Sequence, residues 1–277
     1  MSRKTYRVMT VGLAMALALG LATLALAAGP SDAPGSGGKG RTFTLPPQAA
    51  TVRPGLATLG RVQTEDGVVE GYVFLSHREG QAKGHAKKQG SKDGHCFTLL
   101  GKGAKWKSTE PYIIDPTNAR GLDETVVRTL MATSLAAWDT PVAFDIFGSE
   151  DTAATVDGID LVQPDGKNEV LFGDWDTEGV IAVAVVWGVF SGPTSRQKLV
   201  EWDILFDHAD FDWSTDGSPD RMDFQNVAAH EAGHAAGMGH PADACIEETM
   251  YGFIDYGEMQ KRDLNGGDTR GVTKLYH

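Results

Sequence analysis

Three histidines stand in one short run, His230-Glu231-Ala232-Gly233-His234-Ala235-Ala236-Gly237-Met238-Gly239-His240. On a helix, positions four apart lie one above the other, so His230 and His234 point the same way and can grip one metal ion. Glu231 is one position round from His230. Its carboxylate reaches a water on the metal rather than the metal itself, which is where a general base must sit. Gly237 suits a helix that stops and turns sharply, because Gly tolerates positive φ. Such a turn returns His240 as a third nitrogen ligand. Three neutral imidazoles leave one tetrahedral position open, the pattern of a catalytic zinc site; a structural site closes all four. The bland reading is a helix with three unrelated surface histidines, and five fixed residues at this spacing make it the weaker one.

The helix carrying this run is predicted to start at Asp223, a good N-cap, and to end near Ala236. Val127, Leu130, Met131, Leu135 and Trp138 trace one helical face, which predicts an earlier helix over 123–139. A last helix is expected at 258–263, at 267–276, or at both. Strand signals fall at 97–100, 112–114, 169–172, 180–190 and 200–206, with a strand or hairpin edge at 68–75. Helix, several strands, then helix indicates an α/β or α+β domain, and periodicity alone does not order the strands.

The chain has 277 residues, of which 41% are hydrophobic and 22% charged. That excludes a wholly disordered chain and allows one or two domains. The net charge of -12 argues against nucleic acid as a partner. Residues 1–95 are net basic and the remainder is strongly acidic. Arg3, Lys4 and Arg7 precede an uncharged, mostly apolar run that ends in Ala25-Leu26-Ala27. Residues 1–28 therefore read as a secretory signal peptide. The run is also long enough to span a bilayer, so an uncleaved N-terminal anchor is the alternative, and only then is a membrane a partner. Either way the rest of the chain is expected outside the cytoplasm. Residues 29–95 read as a linker and a propeptide-like basic region. Its polar, Gly-rich stretch 76–94 reads as a flexible loop and marks the boundary to a catalytic domain over 96–277.

The run His230–His240 resembles the H-E-x-x-H-x-x-G-x-x-H motif of the metzincin zinc endopeptidases. That family has a Met-containing turn beneath the zinc, and Glu248-Thr249-Met250-Tyr251-Gly252 fits it here, with Met250 as its methionine. Met250-Tyr251 and the closing Gly271-Val272-Thr273-Lys274-Leu275-Tyr276 are similar to the matrixin branch, with Gly252 in place of a proline. Pro241 departs from that branch. The resemblance covers about 105–276 and implies an α+β, zincin-like domain with a twisted mixed β-sheet, an active-site helix and a Met-turn. It also implies an edge strand, within 181–189, that takes extended peptide by strand addition. Leu205 stands where the branch has a structural-zinc histidine, so only one Zn2+ per chain is expected. Asp207, helped by Asp210 or Asp212, is a candidate Ca2+ ligand, with a solvated acidic loop as the other reading. His77, His85, His95 and His208 are expected to be exposed side chains rather than ligands.

Cys96 and Cys245 are the two cysteines. In an oxidising compartment two cysteines usually pair, and a Cys96–Cys245 disulfide is the favoured reading. The alternative is a zymogen switch in which Cys96 fills the open zinc position, as matrixins do within a motif that Gly94-His95-Cys96-Phe97 does not match. The expected protein is a secreted, monomeric zinc endopeptidase acting on extended protein or peptide substrate. His230, His234 and His240 would hold the metal and Glu231 would be the catalytic base. The alternative is a zinc-binding extracellular structural or adhesion protein that reuses the fold without proteolysis.

Overall fold

The computed structural model describes residues 40–65, 67–78 and 96–277. The expected signal segment 1–28, most of the expected linker, and His85 and His95 lie outside them. The N-terminal part forms β1 (Thr42–Phe43), β2 (Ala50–Arg53), β3 (Leu56–Thr64) and β4 (Gly67–Arg78). After it come β5 (Thr98–Leu99), β6 (Glu110–Asp115), α1 (Glu124–Asp139), β7 (Phe147–Glu150), β8 (Glu169–Trp175), β9 (Val180–Val189) and β10 (Lys198–Asp207). The last part holds β11 (Trp213–Ser214), β12 (Met222–Asp223), α2 (Phe224–Ala235), β13 (Met238–Gly239), β14 (Phe253–Ile254) and α3 (Gly266–Tyr276). Among the described residues, no helix is long and apolar enough to cross a membrane.

Eight strands run in the order β2-β3-β4-β9-β10-β8-β6-β7, with β1 joined to β8 and β14 to β4. β10 pairs parallel with β8 and antiparallel with β9, so the sheet is mixed. A mixed sheet with three helices is the α+β architecture expected. The helices start where the sequence places them. Asp123 caps α1 by accepting the N–H groups of Thr125 and Val126, and Asp223 caps α2 by accepting that of Asn226.

β9 is apolar along its whole length because both faces are buried. Ala182, Ala184 and Val186 face the layer of α1 and α2, among Val127, Met131 and Val227. Val183, Val185 and Trp187 face the opposite side, among Leu59, Val69, Val73 and Trp175. Leu59, Val69 and Val73 come from β3 and β4, strands of the same sheet, so the N-terminal part extends that second face.

Two expectations change here. β9 is not an edge strand: β10 holds one side and β4 holds the other, from Glu70 opposite Gly188 to His77 opposite Val180. The boundary at residue 95 marks a change of composition and not a break in the sheet. Ser76, read as the start of a loop, is wholly buried inside β4.

Candidate metal centre

α2 carries His230, Glu231 and His234, and it is fixed from several sides. Trp138 of α1 donates its indole N–H to the Ala229 carbonyl at 2.9 Å, and Trp106 donates to Ala235 at 2.8 Å. Gly233 leaves room for Met250: a Cβ there would lie 2.1 Å from the Met250 sulfur and 2.5 Å from the Trp138 ring. The helix ends at Ala235, and Gly237 takes φ +99°, the left-handed turn expected of it. The chain returns through β13, which pairs with β5, and so brings His240 back to the helix.

The three imidazoles converge. His240 Nε2 lies 3.1 Å from His230 Nε2 and 3.0 Å from His234 Nε2. Three nitrogens on one tetrahedral zinc at about 2.0–2.1 Å are about 3.3 Å apart, so the donor set fits. The ring tautomers fit as well. His230 Nδ1 lies 2.6 Å from the Thr249 carbonyl and His234 Nδ1 lies 2.9 Å from the Met238 carbonyl. A carbonyl only accepts, so Nδ1 carries the proton and each Nε2 keeps its lone pair for a metal. Burial holds His234 down to about 3 and keeps His230 and His240 well below the usual histidine range. All three rings are neutral at neutral pH. Met250, wholly buried, packs against α2 at Gly233.

Glu231 is fully buried beside His230. Burial pushes its carboxyl up to about 8, against the pull of one hydrogen bond. The donor is Ser76 of β4, whose hydroxyl lies 2.6 Å from Glu231 Oε1. Phe74, two residues earlier, stacks on the His234 ring with centroids 3.9 Å apart. Neither residue was singled out from sequence. They lie more than 150 positions from the residues of α2 that they meet, and no local pattern announces the contact.

Asp268 was also missed. Its carboxylate accepts the backbone N–H groups of Thr249 and Met250, and Glu248 accepts those of Gly267 and Asp268. The start of α3 and the Met250 turn are thereby tied together. Cys96 and Cys245 form a disulfide, with Cα atoms 5.5 Å apart, so Cys96 is not a free thiol over the histidines.

The acidic expectation is corrected. Asp207 does not gather Asp210 and Asp212 round a cation. Its carboxylate accepts backbone N–H groups of Ala209, Asp210 and Trp175, and Asp212 pairs with Arg120. Among the described residues, the carboxylates that converge are Asp160, Glu201 and Asp203. His208 is buried rather than exposed; its Nδ1 accepts the Ala119 N–H at 3.1 Å and its ring stacks on Phe172. His77 is half-buried, with its ring nitrogen 3.3 Å from the Gly179 carbonyl.

Comparison with known proteins agrees with this geometry. The family model described as Matrixin matches residues 105–277. Human (Homo sapiens) matrilysin is 40% identical over 62 residues, which is 22% of this chain and 22% of matrilysin. The matched stretch thus spans under a quarter of that relative. The family match takes in α1, the main strands, the three histidines, Met250 and α3, and the chain belongs to the matrixin family of zinc metalloendopeptidases.

Proposed function

We propose that this chain is an exported zinc endopeptidase that hydrolyses peptide bonds in extended protein or peptide substrates. The observation that carries the reading is the convergence of three neutral Nε2 atoms beside a buried carboxylate. His230, His234 and His240 hold the zinc, and the Thr249 and Met238 carbonyls orient two of them. When bound, zinc polarises the scissile carbonyl and makes water acidic enough to be a nucleophile at neutral pH. Glu231 takes the proton of the attacking water on a carboxylate oxygen and later delivers it to the nitrogen of the departing amine. Burial raises the affinity of this carboxyl for a proton, which suits a group that must take one from water. Met250 does no chemistry; it supports the histidines from below. Export is supported by the basic start and apolar run of residues 1–28 and by the disulfide.

The test is elemental analysis together with hydrolysis of a quenched fluorescent peptide mixture. The parent should carry one zinc per chain and lose activity to a chelator. His234→Ala should lose both metal and activity. A fully active protein with no zinc would overturn the reading.

A further inference from the structure

Arg78, the last residue of β4, is gripped by the loop that follows Met250. β4 runs antiparallel along β9 and parallel beside β14, with Phe253 opposite His77 and Ile254 opposite Arg78. Ser76 donates to Glu231, so Arg78 lies two residues past that carboxylate, toward the C-terminus. Its Nε and Nη2 donate to Asp255 Oδ1 at 3.1 and 3.0 Å, and its guanidinium lies 4.0 Å from the centre of the Tyr256 ring. A carboxylate beside an aromatic face is an arrangement that picks out a guanidinium. Both groups are set by their own loop. Asp255 Oδ1 also accepts the Tyr256 N–H at 2.8 Å, and the Asp255 N–H donates to Glu258 Oε2 at 2.9 Å. Gly257 takes φ +68° and donates its N–H to the Arg221 carbonyl at 2.9 Å.

Resting on the zinc-peptidase reading, we propose that Asp255 and Tyr256 form a subsite that selects a basic substrate side chain, arginine before lysine, on the C-terminal side of the cleaved bond. A peptide that reaches the three histidines between β9 and residues 253–254 brings a side chain of its own to the place of Arg78. The surroundings favour a cation. Asp255, Glu247 and Glu258 line an adjoining recess of about 240 Å³, and no basic residue lines it. Lys261 offsets Glu258 at 3.0 Å, so the recess stays net negative through Asp255 and Glu247. A lysine ammonium gains the attraction of Asp255 but less of the ring, because it is compact and strongly hydrated, whereas a planar guanidinium stacks.

The experiment uses the zinc-loaded full chain carrying Arg78→Ala, which vacates the subsite, with and without Asp255→Asn. Mass spectrometry of a digested peptide mixture locates the cuts. Matched peptides with Arg, Lys or Gln at the selected position then give kcat/KM. Arg should exceed Gln by at least about fivefold, with Lys between them. Asp255→Asn should bring that ratio below about twofold while the Gln peptide keeps its rate. Tyr256→Leu should erase the advantage of Arg over Lys. Equal rates for the Arg and Gln peptides would overturn the proposal and leave the peptidase reading intact. If no peptide is cut, the peptidase reading falls, and titration of the Arg78→Ala chain with N-acetylarginine amide, followed through the Tyr256 ring resonances, decides the subsite by itself. Shifts that Asp255→Asn abolishes would uphold a guanidinium site, and an absence of shifts would overturn it.

Discussion

The carboxylate of Asp268 accepts the backbone N–H of Thr249 at 2.7 Å, and the carbonyl of that same Thr249 lies 2.6 Å from His230 Nδ1. One buried acid in the last helix thus fixes the backbone group that orients the first metal ligand. Asp268 is a positioning residue, and Asp268→Asn keeps its shape but loses one acceptor oxygen. Groups that orient metal ligands from behind typically change affinity about 10–100-fold when altered. Zinc affinity, read by competition with a chelating dye, should fall within that range. Hydrolysis at saturating zinc should fall much less. An unchanged zinc affinity would show that His230 is held without the Thr249 contact.

The base is tested separately from the metal. Glu231→Gln should keep one zinc per chain and lose about 10²–10⁴-fold in kcat, the usual reach of a positioned acid–base group. The comparison belongs in the Ser76→Ala background as well as the parent, so that loss of the Ser76 hydrogen bond is not counted as loss of chemistry. A Glu231→Gln chain with near-parent kcat would remove Glu231 from the mechanism.

The disulfide joins residues 149 positions apart. Cys245 sits between His240 and Met250, while Cys96 precedes β5, which pairs with β13 ahead of His240. Closing a loop of that length stabilises a fold by up to about 5 kcal/mol in the chain-entropy model. Cys96→Ser should therefore lower the melting temperature clearly and speed zinc loss to a chelator. Unaltered melting together with a gain in activity would favour Cys96 as an inhibitory group.

The cluster of histidines was legible because its parts are local. The three histidines and Glu231 fall within eleven residues, a helix repeat places two of them, and Gly237 marks the turn that returns the third. The cap at Asp223 was legible for the same reason, since a cap bonds to an N–H group three residues on. What was not legible is non-local. The apolar residues mark 68–75 as a strand but do not say which strand lies beside it, so nothing in the sequence corrected the edge position that the resemblance implied for β9. Of the two readings of Asp207 the structure favours the acidic loop, because an Asp-rich turn satisfies its own backbone as readily as it binds a cation.

Glu201 gives a pH prediction with a definite sign. Burial, with the Asp160 carboxylate beside it, pushes its carboxyl from 4.5 up to about 9. Glu169, likewise buried, is pushed to about 7. Between the ordinary value and the raised one, the folded chain holds a proton that the unfolded chain has released. Stability is therefore fully present below 4.5 and is lost as pH rises, through about 7 for Glu169 and about 9 for Glu201. The buried histidines act in the opposite sense at lower pH, since their folded values are depressed, and they add no slope once the unfolded chain is also neutral. Above about pH 7 the fall belongs to the acids. Glu201→Gln removes the group that titrates but keeps an oxygen for the Gly166 N–H that Glu201 now accepts. In calcium-free buffer its melting temperature should gain on the parent steadily as pH rises, by at least about 4 °C between about pH 6 and pH 9. Above about pH 9 the gap should stop widening. A gap that stays constant over the whole range would mean that Glu201 is already ionised in the folded chain, with a cation or an unseen donor paired to it.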